Sequence, residues 1–120
     1  MSFEHALNLR VIEKHSDGVT VEFDLLPGWL NSHGVMHGGI TASIADEAAW
    51  HAIETHFGYG SRKSTTTELK VNYLRPIAGN TVSARARLVR AGKTLCVAQI
   101  EISDDQKNLA AIAIVTYMLL

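Results

Sequence analysis

The chain has 120 residues, a length that suits one domain, 1–120, and 47% of them are hydrophobic, enough to fill a core. Its 11 Lys and Arg stand against 12 Asp and Glu, a formal net charge of −1, which gives no reason to expect nucleic acid or an anionic membrane as partner. The single cysteine, Cys96, excludes an internal disulfide framework and fits the cytoplasm.

The first residues, Met1-Ser2-Phe3-Glu4-His5, carry neither a basic n-region nor an apolar h-region, so no signal peptide is expected. Leu7 to Lys14 reads as a first strand. Asp17-Gly18 is a hairpin signal that pairs it with a second. In that second strand Val19, Val21, Phe23 and Leu25 alternate with Thr20, Glu22 and Asp24. Pro27-Gly28 ends it, and a loop runs from Trp29 to Gly39.

One long helix is expected over Ile40 to Phe57, closed by Gly58 and Gly60. Its arc Ala42, Asp46, Ala49, Trp50, Ile53 and Phe57 is nearly all apolar at i, i+3, i+4 spacing. Glu47 falls on a more polar arc with Ser43, His51 and Glu54. Everything after Ser61 reads as strand: Leu69-Val71-Tyr73, then Val82 to Leu88, then Leu95 to Ser103, then Leu109 to Leu119. The turns between them are Pro76 with Gly79-Asn80, Ala91-Gly92-Lys93, and Asp104 to Asn108. The longest apolar run, Leu109 to Leu120, is broken by Thr116 and Tyr117 and is too short to cross a bilayer. The order predicts an α+β domain, one antiparallel sheet of about six strands curled around one helix. Such a sheet leaves a face or an edge uncovered, for which dimerisation is the usual remedy.

The chemistry concentrates in Asn31-Ser32-His33-Gly34-Val35-Met36-His37-Gly38-Gly39 and the helix behind it. A His-Gly-Gly at a helix mouth gathers bare backbone N–H groups and the positive end of the dipole. Such a site binds an anion or a developing oxyanion. Asp46 places a carboxylate further along, among Ala, Ile and Trp. Together they read as acyl-transfer chemistry with Asp46 as base or nucleophile. Glu47 is the rival carboxylate. Asn31 also fits a plain turn residue. His33 and His37 are four apart but flanked by glycines, and no His-Glu-x-x-His occurs, so no metal is expected. Gly92-Lys93-Thr94 lacks the spacing of a phosphate loop and reads as a hairpin turn. Cys96 reads as an inert core residue.

The spaced set resembles the hotdog-fold acyl-CoA thioesterases, in the phenylacetate-degradation (PaaI-type) branch. The residues that carry the resemblance are Asn31, Gly34, His37, Gly38, Gly39 and Asp46, then Asn72-Tyr73-Leu74-Arg75-Pro76 and Gly92-Lys93-Thr94. The resemblance implies a hotdog fold, self-association as a homodimer or dimer of dimers, and active sites at the dimer interface. It points to Gly38 as donor of an N–H to the thioester carbonyl and to Asp46 as base or nucleophile. It points to Asn31 and Thr66 as groups that position water or thioester. His37 is a further candidate of the catalytic set, read from the loop itself as an imidazole that fixes the loop rather than as a proton shuttle. Gly39, Trp50, Arg62, Arg75, Arg90 and Lys93 are the candidates for substrate contacts, the basic ones on CoA phosphates. No cofactor is implied, since CoA is part of the substrate.

Helix geometry supports the shared site. Gly38 and Asp46 are eight residues apart, roughly 12 Å along one helix axis at 1.5 Å per residue. A general base must lie within about 3 Å of its target or act through one water. Two antiparallel helices related by a two-fold axis bring Gly38 of one chain to Asp46 of the other. Two other readings stand beside the thioesterase: a non-catalytic acyl-CoA sensor, and a hydratase of enoyl or hydroxyacyl thioesters, whose usual His and acid arrangement fits this chain poorly.

Overall fold

In the computed structural model the described residues are 3–120, with backbone alone for Glu4 and His5. The leader reading at Met1 and Ser2 lies outside them. A short α1 (Phe3–Ala6) leads into β1 (Arg10–His15) and β2 (Gly18–Asp24). A 3-10 turn (Pro27–Trp29) precedes α2 (Gly38–Phe57). Then come β3 (Ser64–Tyr73), β4 (Thr81–Ala91), β5 (Leu95–Asp104) and β6 (Leu109–Leu119). All pairs are antiparallel, and the order across the sheet is β1-β2-β4-β5-β6-β3. The predicted α+β architecture is therefore found, with α2 packed against five strands of one curled sheet.

The alternating residues of each strand make one apolar face, and that face meets α2. Phe23 of β2 and Ile100 of β5 are fully buried there. Burying a side chain such as Phe23 contributes about 1.5–3 kcal/mol. Ala45, Ala48, Ala49 and Ala52 on the helix meet Ala84, Ala86, Ala98 and Ala113 on the sheet side of the core. Small residues on both surfaces let the helix sit close to the strands.

Three expectations are corrected. The first strand starts at Arg10, not Leu7: Leu7 is buried ahead of it, and Asn8 at φ 48 breaks the extension. The Asn8 amide then takes the place of a backbone pair, with its Oδ1 accepting from Asp24 N at 2.6 Å and its Nδ2 donating to Asp24 O at 3.2 Å. The helix begins at Gly38, two residues earlier than Ile40, with His37 as N-cap. Its buried face is Thr41, Ile44, Ala45, Ala48, Ala49, Ala52 and Ile53, so of the expected arc Ala49 and Ile53 are buried, whereas Ala42, Asp46, Trp50 and Phe57 lie half-buried along the flank. With alanine spread around the whole helix, hydropathy alone does not select a face. Volume does: Ile44 and the alanines fit under the sheet, and Trp50 packs half-buried at its margin.

One edge strand bears directly on the site. β3 pairs with β6 and has no partner on its other side among the described residues. A bulge lies between Thr66 and Glu68, leaving Thr67 as the extra residue. Below it Leu69, Val71 and Tyr73 sit opposite Val115, Ala113 and Ala111, residues buried on the helix side. Strict alternation would then turn Thr66 outward. The bulge resets the parity, so Thr66 sits opposite Tyr117 and faces α2.

Candidate active site

The loop before α2 is a small closed structure. Leu30 and Met36 form an isolated antiparallel bridge, and His37 N donates to Trp29 O at 2.8 Å. At its tip Gly34 N donates to Asn31 O at 3.0 Å, with Gly34 at φ 75, where a glycine avoids strain. Asn31 Oδ1 accepts the N–H groups of His33 at 2.9 Å and Val35 at 3.2 Å. That end of the amide holds the turn, so Nδ2 is the end left to meet a substrate. The His37 side chain makes no capping bond, while its carbonyl accepts from Ile40 N at 3.0 Å and Thr41 N at 3.2 Å.

Gly38 and Gly39 are exposed first-turn residues of α2, so their N–H groups have no intrahelical acceptor. The Tyr73 hydroxyl donates to Gly38 O at 2.6 Å. A Cβ on Gly38 would lie 3.3 Å from that hydroxyl oxygen, so the glycine admits the phenol. Beside them is an open cleft of about 380 Å³, with Val35, Met36, Leu74, Arg75 and Ile77 in its wall.

Asp46 lies eight residues further along the same unbroken helix, half-buried. Thr66 Oγ1 donates to Asp46 Oδ1 at 2.7 Å, and Tyr117 Oη donates to the same oxygen at 2.8 Å. Tyr117 Oη also lies 3.1 Å from the Asp46 carbonyl oxygen. Burial pushes the Tyr117 phenol far above its ordinary value, and the Asp46 carboxylate adds to the shift. The phenol is therefore a protonated donor at any working pH. Sequence reasoning missed Tyr117. The signal was its parity: Ala111, Ala113, Val115, Tyr117 and Leu119 all face inward, and only Tyr117 carries a polar tip. Both hydroxyls reach Asp46 rather than the adjacent Glu47.

Trp50 stands one helical turn beyond Asp46, edge-on to His51 and to Tyr59, with ring centroids 4.9 and 5.9 Å away. Arg62, Arg90 and Lys93 come together around an open cavity of about 540 Å³ beside Phe57. There the Arg62 guanidinium lies 5.8 Å from the Phe57 ring centre. Arg75 is not with them, since it borders the Gly38 cleft. Cys96 is buried, and burial raises its thiol pKa, as suits a core residue. Among the described residues no three His, Cys, Asp or Glu side chains are grouped to hold a metal ion.

Residues 33–111 match the family described as the thioesterase superfamily. The chain belongs to that superfamily. As a member it is a thioester hydrolase. Over 98% of its length it is 31% identical to YigI of Salmonella typhimurium, a medium/long-chain acyl-CoA thioesterase, and spans 85% of that protein. Over 89% of its length it is 32% identical to the acyl-coenzyme A thioesterase PaaI of Escherichia coli K12, spanning 74% of it. A solved mutant structure of the phenylacetic acid degradation protein PaaI from Thermus thermophilus superposes with a TM-score of 0.84 at 26% identity, over 98% of both chains. The thioesterase HI1161 of Haemophilus influenzae, at 21% identity and a TM-score of 0.89 over 99% of this chain and 82% of that one, shares the fold. The sheet around one helix is thus the hotdog fold of this superfamily. No helix among the described residues is long and apolar enough to cross a membrane.

Proposed function

We propose that this thioesterase hydrolyses an acyl-CoA or aryl-CoA thioester to free acid and CoA, in a homodimer whose sites each combine Gly38 of one protomer with Asp46 of the other. The observation that carries the reading is the Asp46 carboxylate, gripped by two hydroxyls on the helix whose glycine mouth is eight residues away.

Edge strand β3 supports the dimer. It presents, along its ten residues, an outer edge with no strand partner among the described residues, an edge that proteins ordinarily cover. It also carries Tyr73 beside Gly38 at one end and Thr66 beside Asp46 toward the other. Two copies of β3 paired antiparallel about a two-fold axis between these residues bring the Tyr73 end of one to the Thr66 end of the other. Gly38 then meets the partner's Asp46 without bending either helix. The same arrangement allows pairs of dimers to assemble further.

In the proposed reaction the Gly38 N–H, the neighbouring Gly39 N–H and the helix dipole polarise the thioester carbonyl. Asp46 takes a proton from water, or attacks the carbonyl carbon to give a mixed anhydride that water then opens. Thr66 donates its one proton to Asp46 and keeps lone pairs to accept from that water. Asn31 Nδ2 holds water or thioester. His37 serves through its backbone at the helix cap. Arg62, Arg90 and Lys93 take the CoA phosphates, Arg75 meets substrate at the Gly38 cleft, and Trp50 lines the acyl path. CoA is part of the substrate, and the proposed reaction calls on no cofactor.

The test is free-thiol release from aryl and aliphatic acyl-CoAs by wild type and Asp46→Asn. The reading expects wild-type turnover, cut roughly 10²-fold or more in the variant. Equal turnover in both removes Asp46 from the mechanism. Tight acyl-CoA binding without thiol release favours the sensor.

A further inference from the structure

We infer that Tyr117 is a positioning residue for the reaction: with Thr66 it holds Asp46 by Oδ1 and leaves Oδ2 as the oxygen that meets water or the thioester carbon. The inference rests on the reading of Asp46 as base or nucleophile and adds to it the choice of oxygen and the residue that makes it.

An aspartate carboxylate turns readily about its last torsion, and its two oxygens are chemically equivalent until something distinguishes them. Here both hydroxyl donors arrive at one of them, at 2.7 Å from Thr66 and 2.8 Å from Tyr117. A carboxylate oxygen has about two lone-pair sites. Two donors fill those of Oδ1, and the open sites belong to Oδ2. The two donors come from neighbouring strands at opposed positions, Thr66 and Tyr117, and the Thr67 bulge is what turns Thr66 inward. Tyr117 brings the more rigid of the two. Its ring is 5% exposed, and its oxygen lies 3.1 Å from the Asp46 carbonyl as well. The phenol's one proton goes to the nearer acceptor, Oδ1, while the phenol oxygen stands against the helix backbone. A residue that merely filled this corner would be better as phenylalanine, since burying a hydroxyl carries a desolvation cost.

On the base route Oδ2 takes a proton from water while the water oxygen bonds to the acyl carbon. The C–S electron pair then leaves with the CoA sulfur, which takes the proton that Oδ2 drew from water and so restores the carboxylate. On the nucleophilic route Oδ2 itself bonds the acyl carbon, CoA leaves as thiolate, and water later cleaves the anhydride. Either route needs one oxygen presented at a fixed angle, within the near-attack range.

The experiment compares wild type, Tyr117→Phe, Thr66→Val, Thr66→Ser and Asp46→Asn in thiol release, with kcat and KM read separately. Thermal melting and binding of a non-hydrolysable thioether analogue of the acyl-CoA are measured on the same proteins. Tyr117→Phe is expected to lower kcat about tenfold or more, with KM and analogue affinity within about twofold of wild type. A purely structural tyrosine would move the melting temperature and leave kcat alone, and that result overturns the inference. Should Tyr117→Phe fail to fold, the threonine pair decides: Thr66→Val is expected to lose kcat and Thr66→Ser to regain it, and a Val variant as fast as wild type overturns the shared grip. If Asp46→Asn retains wild-type turnover, it is the reading of Asp46 that fails. If Asp46→Asn is inactive and Tyr117→Phe is not impaired, only this inference fails.

Discussion

The Tyr73 hydroxyl donates to the Gly38 carbonyl across 2.6 Å and so ties the mouth of α2 to the unpaired edge strand. The glycine makes this possible, because an added Cβ would stand 3.3 Å from the phenol oxygen. Tyr73 is 55% exposed and its hydroxyl is the far end of a movable side chain, so the ring can give way. Gly38→Ala should therefore change stability by no more than about 1 kcal/mol, since alanine also favours the helix. Thiol release should fall roughly 10- to 100-fold, as the shifted phenol lets the helix mouth lose its aim. Melting curves and steady-state kinetics on one preparation check both halves.

The gathering of Arg62, Arg90 and Lys93 around one cavity makes a prediction about substrate size. Replacing any of them by Ala should raise KM for acyl-CoA about tenfold, the worth of one charge-assisted hydrogen bond. The same variants should treat a short acyl thioester of N-acetylcysteamine, which has no phosphates, as wild type does. Arg75→Ala should differ from all three, because Arg75 borders the other cleft.

Gly18 is set by the sheet rather than by the active site. A Cβ there would lie 1.9 Å from the Ala86 carbonyl oxygen, which is backbone of the paired strand β4 and has nowhere to go. Gly18→Ala should destabilise the fold by about 1–3 kcal/mol, the usual cost of overpacking. Denaturant unfolding measures it.

Acid stability should report on Asp104. Its carboxylate accepts the backbone N–H groups of Asn108 at 2.9 Å and Gln106 at 3.0 Å in the β5–β6 turn. The Asn108 bond is the largest of the influences that hold this carboxyl below its ordinary 3.8. A group depressed in the folded state contributes stability that is present above its unfolded pKa and lost as pH falls through the folded value. Asp104→Asn should therefore be less stable than wild type near neutrality, and the gap should narrow as pH falls below the carboxyl's ordinary 3.8. Melting temperature against pH follows both proteins.

Much of this was legible in the chain. Alternating residues such as Val19, Val21 and Phe23 declare their strand and its buried face without tertiary help. Gly58, at φ 96, closes the helix where expected. Turn residues 104–108 form the turn they spell, with Lys107 at φ 66. The helix face was not legible, because alanines around α2 leave volume rather than hydropathy to choose it. The inward turn of Thr66 depends on a bulge, and a bulge is invisible to a period-two pattern that starts at Leu69. Tyr117 carries a signal in its parity, but only its distance from Asp46, 71 positions away in sequence, gives the hydroxyl a meaning. Glu54 is likewise hidden: it reads as a polar-arc residue, yet it is 5% exposed, with Oε1 accepting Gly60 N at 3.3 Å.

The central claim is that one active site draws Gly38 and Asp46 from two different protomers. Subunit complementation tests it most directly. Asp46→Asn and a disabling Gly38 variant, each inactive alone, are mixed as unfolded chains, refolded together and assayed for thiol release. A two-fold shared site predicts that the mixed dimer holds one intact site and one doubly impaired site, with about a quarter of wild-type activity returning in a statistical mixture. If Gly38 and Asp46 act within the same chain, every site carries one lesion, and mixing restores nothing.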